Sequence, residues 1–259
     1  VPRAQAPPHA GPQKPRILVD TGIGSLYDEC MPIARPKVVA GELYHIYNRG
    51  VEKRIIFPSS PYYRRFIDGM RAFNNSRPVL LREFMKGDSN TGIGSLYEGK
   101  RLVEICAFIL MPNHYHLLLR PLQDNGLALF LQKLGAGYSG FFNLKQERVG
   151  ALFQGRYKMK RIDSDRYARH IQAYIALNAL DHAMPEWRQR GVGNRERARK
   201  ILRGHPWSSY AAHMGGGSFE NVVTSSLMKD VFDSPEEFEA FTLSVTGDEM
   251  HDMRYLTAG

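Results

Sequence analysis

Residues Ile105–Pro121 read ICAFILMPNHYHLLLRP. An apolar run from Ile105 to Met111 breaks at Pro112-Asn113, resumes as His114-Tyr115-His116-Leu117-Leu118-Leu119 and ends at Arg120-Pro121. Two apolar runs around a short Pro-Asn turn signal predict a β-hairpin. Side chains alternate along a strand, so His114 and His116 share one face, and Tyr115, Leu117 and Leu119 share the other. Two imidazoles at this spacing can grip one metal ion. Two strand histidines, each satisfied by a local hydrogen bond, would read the same way. The metal reading needs a third ligand and a reacting group from elsewhere in the chain.

With 259 residues and 43% apolar content, the chain is long enough for one large domain with appendages and a real core. No apolar run approaches the roughly 18 residues of a membrane helix, and the N-terminus lacks the hydrophobic core of a signal peptide. Only Cys30 and Cys106 occur, which excludes a disulfide framework or a cysteine metal cluster and fits a reducing, cytoplasmic setting. The net charge of +9 is uneven. Pro206–Gly259 holds nine acidic and two basic residues, whereas Val1–His205 holds 33 basic and 17 acidic. A strongly basic body suggests a polyanionic partner, most simply nucleic acid, although a solvated basic surface would give the same count.

Along the chain, Val1–Ala40 carries seven of the fifteen prolines and reads as a poorly ordered arm, with Met31 as an alternative start of translation. The heptapeptide TGIGSLY occurs at Thr21–Tyr27 and again at Thr91–Tyr97, and reads as a short duplication rather than a structural repeat. Gly41–Ile46 predicts the first strand, running into the polar turn Tyr47-Asn48-Arg49-Gly50. Helical spacing of Phe66, Ile67, Met70 and Phe73 predicts a helix over Tyr62–Phe73. Residues 74–99 read as an irregular insertion with a short strand near Val79–Phe84. Leu127–Leu144 reads as one helix or two, given Gly135, Gly137 and Gly140 inside it.

In Ala151–Arg161, Phe153 and Tyr157 sit among Arg156, Lys158, Lys160 and Arg161. Aromatic faces stack bases while cations hold phosphates, so the segment suits single-stranded nucleic acid; an amphipathic edge strand would look alike. Asp163-Ser164-Asp165 offers N-caps for a helix in which Tyr167, Ile171, Tyr174, Ile175 and Asn178 share a face, with Arg166, Arg169 and Ala176 opposite. A phenol and a carboxamide one turn apart, Tyr174 and Asn178, are unusual on a buried face, unless they bond to each other in the core. Trp187–His205 has seven Arg/Lys against one Glu and reads as a basic linker or helix, a further phosphate contact. Ser234-Pro235-Glu236-Glu237 opens a short acidic helix docked by Phe238 and Phe241. The acidic tail could also compete with DNA.

These landmarks together resemble the single-tyrosine HUH transposases, and most closely the REP-associated tyrosine transposases of the IS200-like group. The resemblance rests on MPNHYHLLL, LYHIYNRGVEKR (Leu43–Arg54), LFQGRYK (Leu152–Lys158), YIALN (Tyr174–Asn178) and PWSSY (Pro206–Tyr210), in that order. It covers roughly Gly41–Met214. The fold it implies is α+β: a ferredoxin-like domain with a central antiparallel sheet and helices on one face, plus a helical C-terminal extension. Residues 1–40, the insertion at 74–99 and the acidic tail fall outside the resemblance, so the organisation reads as an arm over 1–40, an HUH transposase domain over 41–205 and an extension over 206–259. The implied chemistry gives His114 and His116 a divalent metal, Mg²⁺ or Mn²⁺, with Asn178 as third ligand where the family often has Gln. Tyr174 falls at the nucleophile, which would attack single-stranded DNA beside a hairpin to leave a 5′-phosphotyrosine and a free 3′-OH. Tyrosine suits that role because its phenolate is both nucleophile and leaving group, so breakage is reversible. Asn48, Arg49, Lys53, Arg54, Arg156, Lys158 and Lys160 are the expected DNA contacts. The implied protein is a bacterial, cytoplasmic, nucleoid-associated monomer or homodimer. Two other readings compete: a catalytically silent hairpin-binding protein, and a metal-dependent hydrolase or nuclease built on the His-x-His pair.

Overall fold

The computed structural model describes residues 37–82, 99–217 and 219–249, all within one compact unit. Both TGIGSLY copies, Met31, most of the N-terminal arm and the last residues of the acidic tail lie outside the described residues. The hairpin forms as its sequence requires. Strand β2 (Val103–Met111) and strand β3 (His114–Pro121) pair antiparallel, with Met111 opposite His114 across the Pro112-Asn113 turn. A register shift between Ile105 and Ala107 lets Phe108 return to the face that carries Ile105. Strand β1 (Leu43–Arg49) lies beside β3, and β4 (Lys158–Ile162) closes the far edge. The sheet order is β2-β3-β1-β4, antiparallel throughout.

Helix α1 (Ser60–Ala72) connects β1 to β2, and α2 (Gly126–Lys145) connects β3 to β4. The chain therefore runs βαββαβ, the ferredoxin-like arrangement. Alternation in β1 and β3 sends Tyr44, Ile46, Tyr115, Leu117 and Leu119 to one face, where Phe66, Ile67 and Met70 of α1 and Leu127, Phe130 and Leu134 of α2 bury them. The α2 segment is a single helix despite its glycines. Gly137 allows the close approach of α1, since a Cβ there would sit 2.6 Å from the Phe73 ring.

The other face is covered as well. Helix α3 (Asp165–Leu177) starts at Ser164, whose hydroxyl accepts from the Tyr167 N–H, and lies over Ala107, Ile109 and Leu118. Its outer side is not solvated. Ala176 is buried, and the Arg169 guanidinium lies over Phe232 and Phe241 while pairing with Glu237. These partners come from α8 (Pro235–Ser244) and from the turn that joins it to α7 (Ser226–Val231), with Ser234 capping α8 as its sequence requires.

Between α3 and α7 the chain passes through a 3-10 turn (Asn178–Leu180) and helices α4 (Trp187–Arg190), α5 (Arg195–Gly204) and α6 (Tyr210–His213). The expected phosphate-binding role of Trp187–His205 meets a competing use. Arg188 pairs with Asp181, and Arg199 and Arg203 both pair with Glu239 of α8. The basic and acidic halves of the chain thus neutralise each other partly within the fold. The PWSSY segment caps the outer edge of β2, where Leu110 N–H donates to Trp207 O and Ser209 N–H donates to Phe108 O. In the insertion, Leu81 and Arg82 begin a helical turn where a strand was expected, and residues 83–98 lie outside the described residues.

Candidate active site

Three rows of side chains cross the sheet face under α3. The pairing sets Arg49 beside His114, Lys158 beside Tyr47 beside His116, and Lys160 beside His45 beside Leu118. His45, His116 and Tyr47 stack, with the His45 ring centroid 5.1 Å from each of the other two. Tyr174 descends from α3 onto this layer edge-on, 5.6 Å from His116 and 6.2 Å from His45. The fold thus brings together the hairpin histidines and the tyrosine that the sequence placed on a separate helix.

Each histidine of the pair has one ring nitrogen occupied. Asn113 donates its Nδ2 to Lys53 O, which leaves its Oδ1 to accept from His114 Nδ1 at 2.7 Å. His116 Nδ1 lies 2.9 Å from His45 Nε2. An imidazole held through Nδ1 presents Nε2 to a ligand. Burial keeps both rings neutral. His114 is lowered to about 4 by desolvation, helped by Arg49. His116 is pushed well below the ordinary histidine range by desolvation and then by His45. Neutral imidazole is the ligating form, so the pair fits a divalent cation as two nitrogen donors. Among the described residues no cluster of three His, Cys, Asp or Glu side chains forms around it.

Asn178 is fully buried at the end of α3. Its Nδ2 donates to Tyr174 O at 2.6 Å, and its Oδ1 accepts from Arg188 Nη2 at 2.8 Å. The oxygen that would ligate a metal is therefore held by a guanidinium. The bond to Arg188 thus competes with the third-ligand role expected of this carboxamide.

The expected DNA contacts divide. Tyr47, Arg49, Gly155, Arg156 and Lys158 line one small pocket beside the stacked rings, and Arg49, Arg156 and Lys158 are exposed there. Asn48 lines the same pocket but is buried and engaged internally, its Nδ2 donating to Gly155 O and its Oδ1 accepting from Arg49 N–H. Lys53 is exposed in a turn where it and Glu52 adopt left-handed backbone, φ 60° and 56°. Arg54 is ion-paired to Glu52. Lys160 faces the sheet beside His45.

Sequence reasoning missed His45 and the Asp181–Arg188 pair. Alternation within LYHIYNR could have found His45, since Tyr44 and Ile46 are core residues and the intervening ring must face the other side. Nothing periodic links Arg188 to Tyr174, because a 3-10 turn and a loop separate α3 from α4.

Among the described residues no helix is long and apolar enough to cross a membrane. No family model matches the sequence. No curated protein matches it either. Among solved structures the chain is similar to a REP-associated tyrosine transposase bound to a REP hairpin, at 15% identity and a TM-score of 0.45, over 71% of this chain and 86% of that one. At that identity and score the likeness assigns no residue of this chain a role.

Proposed function

We propose that this chain is a single-tyrosine transposase that breaks and rejoins single-stranded DNA beside hairpins. The observation that carries the reading is the meeting of Tyr174 with His116 at 5.6 Å between ring centroids, on a sheet face whose open end is a basic pocket. Tyr174 Oη gives up its proton to solvent and attacks the scissile phosphorus. The bond from phosphorus to the 3′ oxygen breaks, and that oxygen leaves as a 3′-OH after taking up a proton. The 5′-phosphate stays on Tyr174, and the reverse attack by a 3′-OH reseals the strand.

His114 and His116 hold a divalent ion, Mg²⁺ or Mn²⁺, which supplies charge neutralisation at the phosphate when bound. Arg49, Arg156 and Lys158 hold the neighbouring phosphates, with Lys53, Arg54 and Lys160 flanking them. Tyr47, half-buried at the pocket, offers a ring to an unpaired base.

The test is a denaturing gel of protein incubated with labelled hairpin DNA and Mn²⁺. Tyr174→Phe removes the covalent band and Tyr167→Phe keeps it. Hairpin binding without any adduct would instead make the chain a silent binder, and cleaved DNA without an adduct would make it a hydrolase.

A further inference from the structure

We propose that Arg188 is a second catalytic residue, acting on the oxygen of Tyr174, and that Asn178 and Asp181 are the positioning residues that hold it there. The inference rests on Tyr174 being the nucleophile. Arg188 Nε donates to Asp181 Oδ1 at 2.9 Å, and Nη2 donates to Asp181 Oδ2 at 2.7 Å. Nη2 also reaches Asn178 Oδ1. Trp187 Nε1 donates to the same Asp181 Oδ1 at 2.9 Å, and its indole lies under the guanidinium at 4.7 Å. A planar fork fixed on one edge by a carboxylate and on one face by an indole has little freedom left.

The other edge of that fork meets the nucleophile. Arg188 Nη1 lies 3.4 Å from Tyr174 Oη, and the guanidinium carbon lies 5.6 Å from the Tyr174 ring centroid. An ion pair that merely tied α4 to the preceding turn would explain Asp181 but not this aim. Asn178 completes the link, because it donates to the backbone oxygen of Tyr174 while accepting from Arg188. The last turn of the nucleophile's helix and the guanidinium are thereby set at a fixed separation.

The chemistry follows from charge. Phenolate is negative as attacking group and again as leaving group, and a cation already in place stabilises it in both directions without reorganisation. Arg188 therefore lowers the barrier to cleavage and to rejoining alike and leaves the balance between them unchanged.

The experiment has a DNA arm and a DNA-free arm. In the first, Arg188→Gln slows adduct formation and rejoining by a common factor, about 100-fold or more. Hairpin affinity stays within about twofold, and Arg188→Lys, which keeps the charge, recovers part of the rate. In the second, the full chain is treated with methanesulfonyl fluoride. The Tyr174 oxygen bonds to sulfur, fluoride leaves and the phenolic proton passes to solvent. Mass spectrometry then follows Tyr174 against the other tyrosines. Arg188→Gln slows Tyr174 labelling at least tenfold and leaves the others alone. An unchanged Tyr174 labelling rate overturns the assignment whether or not the chain acts on DNA. A slowed labelling rate in a chain that forms no DNA adduct upholds the action of Arg188 on the Tyr174 oxygen and overturns the transposase reading, and with it the catalytic role in strand transfer.

Discussion

His45 and His116 share one hydrogen bond, Nε2 to Nδ1 at 2.9 Å, between two buried and stacked imidazoles on adjacent strands. One proton serves both nitrogens. When it sits on His116 Nδ1, the Nε2 of His116 is a bare lone pair, which is the ligating form. His45 is held neutral, lowered to about 3 by its burial and then by Lys160, so it can accept that proton's hydrogen bond throughout the neutral range. His45→Phe keeps the ring and the packing but removes the acceptor. Mn²⁺ affinity measured by titration should fall about 10- to 100-fold, the range typical for losing such a partner. The circular dichroism spectrum should not change.

Direct removal of the candidate ligands should behave differently from removal of their support. His114→Ala and His116→Ala are expected to abolish cleavage of hairpin DNA. Affinity for that DNA should hold, because phosphate contacts dominate it. A gel-shift titration beside the denaturing gel checks both halves. Loss of binding in step with cleavage would mean that the histidines hold the sheet rather than a cation.

Much of this arrangement was legible in the sequence, and the limits have physical causes. The hairpin could be read because two apolar runs bracket Pro112-Asn113, and the faces of β3 followed from period two. Helix α3 could be read because Ser164 caps it and its apolar residues recur at helical spacing. The covering of its outer side could not. The apolar ring faces of Phe232 and Phe241 receive Arg169, a residue that reads as solvated until its partner Glu237 is known. The Asn178–Arg188 contact was hidden for a related reason. The family resemblance offers Asn178 a ligand role, and the competing donor comes from a separate helix with no fixed sequence offset.

Acid should weaken the fold through histidines buried neutral. His213 is buried, its Nε2 has no hydrogen-bond partner, and desolvation lowers it to about 4. Its folded value lies below the unfolded value of about 6.5. The unfolded chain therefore binds more protons between those limits, and stability falls as pH drops through that window. One such group contributes at most about 3 kcal/mol, at about 1.4 kcal/mol per unit. His205, also lowered to about 4, acts with the same sign. Urea titrations from pH 7 to 4 should show His213→Leu losing one proton's worth of slope relative to the parent chain.

The residues around the Tyr47 pocket should separate into those that touch DNA and one that builds the pocket. Arg49, Arg156 and Lys158 are exposed on its rim. A cation that neutralises a phosphate displaces counterions, so each substitution to Gln should weaken hairpin binding and reduce the slope of log K against log salt by about 1. Asn48 lines the same pocket but is buried, holds Gly155 O through Nδ2 at 3.1 Å and accepts from the Arg49 N–H through Oδ1. Its carboxamide ties the Leu152–Arg156 loop to the end of β1, where Gln154 N–H also donates to Arg49 O. Removing it leaves the Gly155 carbonyl and the Arg49 N–H without their side-chain partner, at about 0.5–1.5 kcal/mol for each bond. Asn48→Ala should therefore lower the melting temperature and weaken binding at every salt concentration, with the salt slope unchanged. A reduced slope in Asn48→Ala, with the melting temperature intact, would make Asn48 a DNA contact after all.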